Sequence, residues 1–113
     1  MVNPLIDEAT IDDLRSTLGD DFLPELINTY LQETPLLIQD LQQALKDGNA
    51  PAFTRAAHSI KSSSASLGAL GFSAQAKELE MTGKAGDLSQ ASAKVSELVN
   101  AYPDLEQAMK SLL

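Results

Sequence analysis

The chain has 113 residues, a formal net charge of -8 and no cysteine. That length suits a single domain spanning residues 1–113, which would bury roughly two thirds of the surface its unfolded chain exposes. Disulfides, thiolate zinc sites and cysteine nucleophiles are excluded outright, and the acidity with only five aromatic residues argues against nucleic-acid binding through phosphate neutralisation.

The first stretch, "MVNPLIDEAT", has neither a basic region nor an apolar one, and no apolar run approaches the roughly 20 residues that cross a bilayer. The expectation is a soluble, cytoplasmic protein without membrane insertion. A short first helix is predicted from Thr10 to Leu18, with Asp12 and Asp13 near its positive end and Gly19 after it. Ile11, Leu14 and Leu18 are spaced either as apolar docking surface for a partner or as the stripe of a lid buried on the bundle, and the lid is favoured for most of them. Asp20 or Asp21 then caps a longer helix carrying Leu23, Leu26, Ile27, Tyr30, Leu31, Ile38, Leu41 and Leu45, stopped at Lys46 and Gly48. Pro35 predicts a kink there, or a restart capped by Thr34.

A third helix is expected from about Asn49–Pro51 to Gly68, and a fourth from about Phe72 to Thr82. "GKAGD" follows as a loop, and a fifth helix begins at Asp87 or Ser89, with a second kink at Pro103. Apolar spacings of three and four, with Gly and Pro at segment ends, leave no candidate strand. The fold class read from this pattern is all-α: an antiparallel four-helix bundle with an additional short N-terminal helix.

Charge is unevenly distributed. Residues 48–77 contain no Asp or Glu but carry Arg55, Lys61 and Lys77, so this window counts +3 and the remainder -11. The only histidine, His58, lies inside it, in "AAHSIKSSSASLG". On a helical wheel Phe53, Ala57, Ile60, Ser64 and Leu67 form the buried seam. His58 therefore faces away from the core, with Lys61 at roughly -60° and Ser62 at about +40° from it. Small residues one turn on leave the ring open, and cationic side chains flank it.

Histidine titrates near neutrality, so an exposed imidazole offers a nitrogen lone pair to an electrophile. A phosphoryl group suits the cationic surroundings, because its transfer rests on positioning and charge neutralisation. Lys61, one turn away, is a mobile point charge within reach of phosphoryl oxygens.

Ala57, His58, Ile60, Lys61, Ser64, Leu67 and Gly68 resemble the motif of histidine-containing phosphotransfer (HPt) domains, roughly Ala-His-x-(Leu/Ile)-Lys-Gly-x-(Ser/Ala)-x-x-(Leu/Val)-Gly. The following "ELEMTGK" is similar to the end of that family's next helix. The resemblance implies that His58 takes a phosphoryl group from a receiver-domain phospho-aspartate and passes it to another receiver, in a multistep two-component phosphorelay. It implies further that Lys61 neutralises the phosphoryl oxygens, that Lys84 assists, and that Glu80 contacts His58. Gly68 would end the helix. Ser62 stands where the family usually has Gly, and its hydroxyl can reach a phosphoryl oxygen. The implied protein is a monomeric carrier without ATP-dependent catalysis and without a cofactor of its own, the magnesium ion belonging to the receiver. Its partners are receivers of response regulators or hybrid histidine kinases.

Two other readings stay open on the sequence. One is the phosphotransfer domain of chemotaxis kinases, loaded by a kinase domain; the other is a helical adaptor in which His58 is incidental. A self-sufficient hydrolase or metalloenzyme is disfavoured by the single histidine and the absence of a phosphate-cradling glycine loop or GxSxG.

Overall fold

The structure is a computed structural model that describes residues 5–113. Five helices account for its regular structure: α1 (Glu8–Leu18), α2 (Phe22–Asp47), α3 (Ala50–Ser66), α4 (Leu70–Lys84) and α5 (Ala91–Lys110). Among the described residues there is no strand. No helix among them is long and apolar enough to cross a membrane.

The longest helix sets the shape. At 1.5 Å per residue, the 26 residues of α2 extend about 39 Å, nearly the full 42 Å long dimension. Helices α2, α3, α4 and α5 touch in cyclic order, α5 closing back on α2, while α1 packs against α2. The enclosed core is built from fully buried Leu23, Ile27, Leu41, Phe53, Ile60, Leu79, Leu98, Leu105 and Met109. Removing a side chain of this kind costs on the order of 2–5 kcal/mol, since transfer and cavity terms add.

Side-chain capping holds at α1 and α3 only: Asp21 precedes α2 in helical conformation and makes no side-chain cap bond, and none is made at the start of α4 or α5. The first helix begins two residues earlier than Thr10, because Asp7 is the cap: its carboxylate accepts from the Thr10 amide at 3.3 Å and from the Thr10 hydroxyl at 2.6 Å. Asn49 caps α3 by accepting from the Ala52 amide at 3.1 Å. The fourth helix is longer at both ends than Phe72–Thr82. The fifth starts at Ala91, since Asp87 accepts from the Ser89 amide at 3.0 Å in a turn before the helix.

The restart expected at Pro35 does not occur. Helix α2 runs unbroken through Pro35, and α5 through Pro103. Thr34 is a buried residue inside α2, 1% exposed, rather than a cap. A proline inside a helix forfeits one N–H bond and crowds the preceding turn, a local cost that the core packing on both sides of Pro35, by Tyr30 and Thr34 before it and Ile38 and Leu41 after it, outweighs.

The apolar stripe of the first helix is only partly covered. Ile11 is buried and Leu14 half-buried, whereas Leu18 is 44% exposed. Its lead-in is bonded to the α3–α4 turn, the Asp7 amide donating to the Gly68 carbonyl at 2.8 Å. Gly68 has φ +80°, and a Cβ there would lie 3.0 Å from the Asp7 carbonyl oxygen. Glycine is therefore required twice over, for the turn itself and for the approach of the segment that leads into α1.

Candidate functional site

Helix α3 presents the site and α4 supports it. Fully buried Phe53, Ala57 and Ile60 fix the rotation of α3, which leaves His58 outward with 57% of its side chain exposed. The facing stripe of α4 is Ser73, Ala76, Glu80 and Gly83, all buried and spaced three, four and three. Three of these four are small, and they let the two helices come close. The Ser73 hydroxyl donates to the Lys61 carbonyl at 2.8 Å. At the other end, a Cβ on Gly83 would overlap Thr54 Oγ1 and lie 3.1 Å from Phe53 Cδ1 and 3.2 Å from Thr54 Cα.

Between those two contacts lies the one large member of the stripe. Glu80 is buried, its side chain 6% exposed, and its two oxygens are separately used. Oε2 lies 2.5 Å from His58 Nδ1, and Oε1 accepts from Lys61 Nζ at 2.7 Å. Lys84 Nζ, one turn further along α4, is 3.9 Å from Oε2, with 67% of its side chain exposed. The hydrogen bond from Lys61 holds the Glu80 carboxyl below its ordinary value of 4.5 against the opposing effect of burial, and the bond from His58 and the nearby positive charges of Lys61 and Lys84 reinforce it.

An ionised carboxylate only accepts hydrogen bonds, so the proton of a neutral His58 ring resides on Nδ1. The lone pair is then on Nε2, the ring nitrogen not engaged by Glu80. The arrangement thus holds one tautomer, leaves a nucleophilic nitrogen accessible, and stores positive charge close to it.

The structure brings His58, Lys61, Glu80 and Lys84 together. It leaves Ser62 apart: that residue is exposed on α3, and its carbonyl accepts from the Ser66 hydroxyl at 3.0 Å. Ser63 likewise bonds its own helix, donating to the Ser59 carbonyl at 2.9 Å. Sequence reasoning did not single out Ser73 or Gly83, although the three–four–three spacing of small residues on α4 carried the signal. On the other flank of α3, a groove of about 410 Å³ separates it from α2, with Asp40, Asp47, Arg55 and Ser59 among its lining. A second, mainly apolar depression beside it is formed by Leu36 and Leu37 with Glu33, Ser59 and Ser63. Among the described residues no cluster of His, Asp and Glu is arranged to hold a metal ion.

The model of the Hpt domain matches residues 25–108, the range that holds His58 and all of its partners. The chain belongs to the Hpt domain family. This Hpt domain is similar to the phosphorelay protein LuxU of Vibrio cholerae serotype O1, with 28% identity over 112 residues, 96% of each chain. Its fold matches the crystal structure of histidine-containing phosphotransfer protein B (HptB) from Pseudomonas aeruginosa PAO1 with a TM-score of 0.90. The two are 26% identical, and the match covers 97% of this chain and 95% of that one.

Proposed function

We propose that this Hpt domain is a phosphoryl carrier in a multistep phosphorelay. His58 Nε2 attacks the phosphorus of a receiver's phospho-aspartate, the N–P bond forms as the P–O bond to the aspartate breaks, and a second receiver later takes the phosphoryl group by the reverse chemistry. The observation that carries this reading is the short Nδ1 contact to Glu80 beneath an exposed ring. No proton has to leave during attack: the Nδ1 proton stays between ring and carboxylate, and the positive charge that the ring acquires is offset by Glu80.

Lys61 supplies positive charge for the phosphoryl oxygens, and Ser62, one turn of exposed helix away, is a polar contact for them. The receiver approaches over the outer face of α3, with Leu36, 59% exposed, on the α2 side and Arg55 beside it. The magnesium ion required for receiver chemistry belongs to that partner, and the carrier has no ATP-dependent step of its own. Helices α2–α5 serve as an antiparallel four-helix bundle with α1 as an added lid, the whole acting as one monomeric cytoplasmic domain.

The test is transfer of labelled phosphate from a panel of phosphorylated receiver domains to this protein and to His58→Gln. Acid-labile, base-stable label on the wild type and none on the variant is the expected result. Label that persists on His58→Gln, or no label from any receiver on a folded wild type, would reject the assignment.

A further inference from the structure

Two lysines and the His58 ring meet one buried carboxylate at this site, and their distances differ in an informative way. Lys61 and His58 occupy the two oxygens of Glu80 at 2.7 and 2.5 Å, while Lys84 waits at 3.9 Å from Oε2. Lys61 is thus already committed in the resting protein, and its side chain is only 27% exposed. Its ammonium has three donors, but drawing Nζ outward to the oxygens of a phosphoryl group on the exposed His58 ring pulls it away from Oε1, which lies 2.7 Å from it on the buried side. A carboxylate with 6% exposure is costly to strip of a cation, because a buried charge without its partner has lost both water and compensation.

We infer that phosphorylation exchanges the cations on Glu80: Lys61 moves from Oε1 to the phosphoryl oxygens, and Lys84 closes on the carboxylate in its place. The inference rests on the phosphoryl-carrier reading above and assigns Lys84 as a positioning residue that acts through Lys61. A phosphoryl group brings up to two negative charges beside Glu80, which favours redistribution of the nearby cations. Lys84 is suited to the exchange because it shares a helix with Glu80, one turn apart, and its exposed chain needs only a rotamer change to close about 1 Å. The two other basic residues of the acid-free window, Arg55 on α3 and Lys77 on α4, belong to no ion pair among the described residues. They do not substitute, since neither is within ion-pair distance of Glu80.

Phosphoramidate loads a histidine without any receiver, its P–N bond breaking as ammonia leaves and the new N–P bond forms, so the exchange is open to direct test. The phosphoryl group of the loaded protein is titrated by 31P NMR in the wild type, Lys84→Gln, Lys84→Arg, Lys61→Gln and the Lys61→Gln/Lys84→Gln double variant. Lys61 on the phosphoryl oxygens favours the dianion. Lys84→Gln should hold Lys61 back at Glu80 and raise the proton affinity of the phosphoryl group roughly two- to fivefold, the scale of one partly exposed ion pair. Lys84→Arg should restore it. Lys61→Gln should raise it at least as far, after which Lys84→Gln should add nothing. An unchanged titration in Lys84→Gln overturns the exchange, as does an equal effect with and without Lys61, which would mean that Lys84 acts on the phosphoryl group directly. If the wild type acquires no phosphohistidine at all, the carrier reading itself has failed.

Discussion

The two flanks of α3 contrast sharply, although one helix supplies both. Toward α4 the packing is tight: Ser73, Ala76 and Gly83 bring the helices together around Glu80, and the hydrogen bonds between α3 and α4 there engage His58 and Lys61. Toward α2 a groove of about 410 Å³ remains open, and Leu36 beside it stays exposed. Fixing a tautomer requires sub-ångström placement, whereas receiving a second protein requires accessible surface. Under the phosphoryl-carrier reading, the α4 flank sets the chemistry at His58 and the α2 flank sets what approaches it.

The largest effect is expected from closing the tight flank with bulk. Gly83→Ala places a methyl group against Thr54 and Phe53, and relief is restricted because the Thr54 hydroxyl is bonded to the Ala50 carbonyl at 2.8 Å. The variant should lose about 1–3 kcal/mol of stability by overpacking, despite the roughly 1 kcal/mol that alanine gains over glycine inside a helix. Urea denaturation measures the balance, and unchanged or increased stability would show that α3 and α4 separate more easily than the packing implies. Phosphoryl loading should fall as well, because Glu80 is displaced with α4.

Much of this site was legible in the sequence. His58 and Lys61 stand out through local features: the outward wheel position, the small residues that follow and the acid-free window. Glu80 and Lys84 came from resemblance to a family motif. What escaped was long-range. Ser64 reads as a seam position, but its partner Tyr30, at 2.7 Å between hydroxyl oxygens, lies 34 residues away. Gly83 looks like an ordinary helix-end glycine until α3 is placed against it. The restart at Pro35 fails for the opposite reason, because the local rule for proline is real but packing of α2 on both sides of it keeps the helix continuous.

Glu80→Gln is the next largest test, and it addresses charge while keeping shape. The amide oxygen can still accept from Nδ1, so the tautomer survives, but the offset for the positive ring is lost. Loading of His58 from phosphoramidate should slow by roughly 10- to 100-fold, the worth of a hydrogen bond to a charged group. In the wild type the same interaction gives acid sensitivity with a definite sign. The folded-state pKa of Glu80 is depressed below 4.5, so its contribution to stability is fully present above that value and is lost as pH falls through the folded pKa. The stability of Glu80→Gln should therefore fall less steeply with acidification below pH 4.5 than that of the wild type; parallel slopes would mean that Glu80 is not ionised in the fold.

The smallest effect on the isolated protein, and the most selective, belongs to the open flank. Leu36 is 59% exposed, so Leu36→Ala should alter stability by no more than about 0.5 kcal/mol. Phosphoramidate should load the variant at the wild-type rate, because nothing near Glu80 has changed. Transfer from a receiver is different: loss of an apolar contact beside His58 should raise KM a few-fold, as expected for one interface side chain worth about 1 kcal/mol, with kcat unaltered. A kcat change of equal size would mean that α2 also helps to place the ring, and the division of labour between the two flanks would fail. A KM effect confined to some receivers would make Leu36 a determinant of partner choice, a role that Ser73, Ala76, Glu80 and Gly83, buried between α3 and α4, cannot perform.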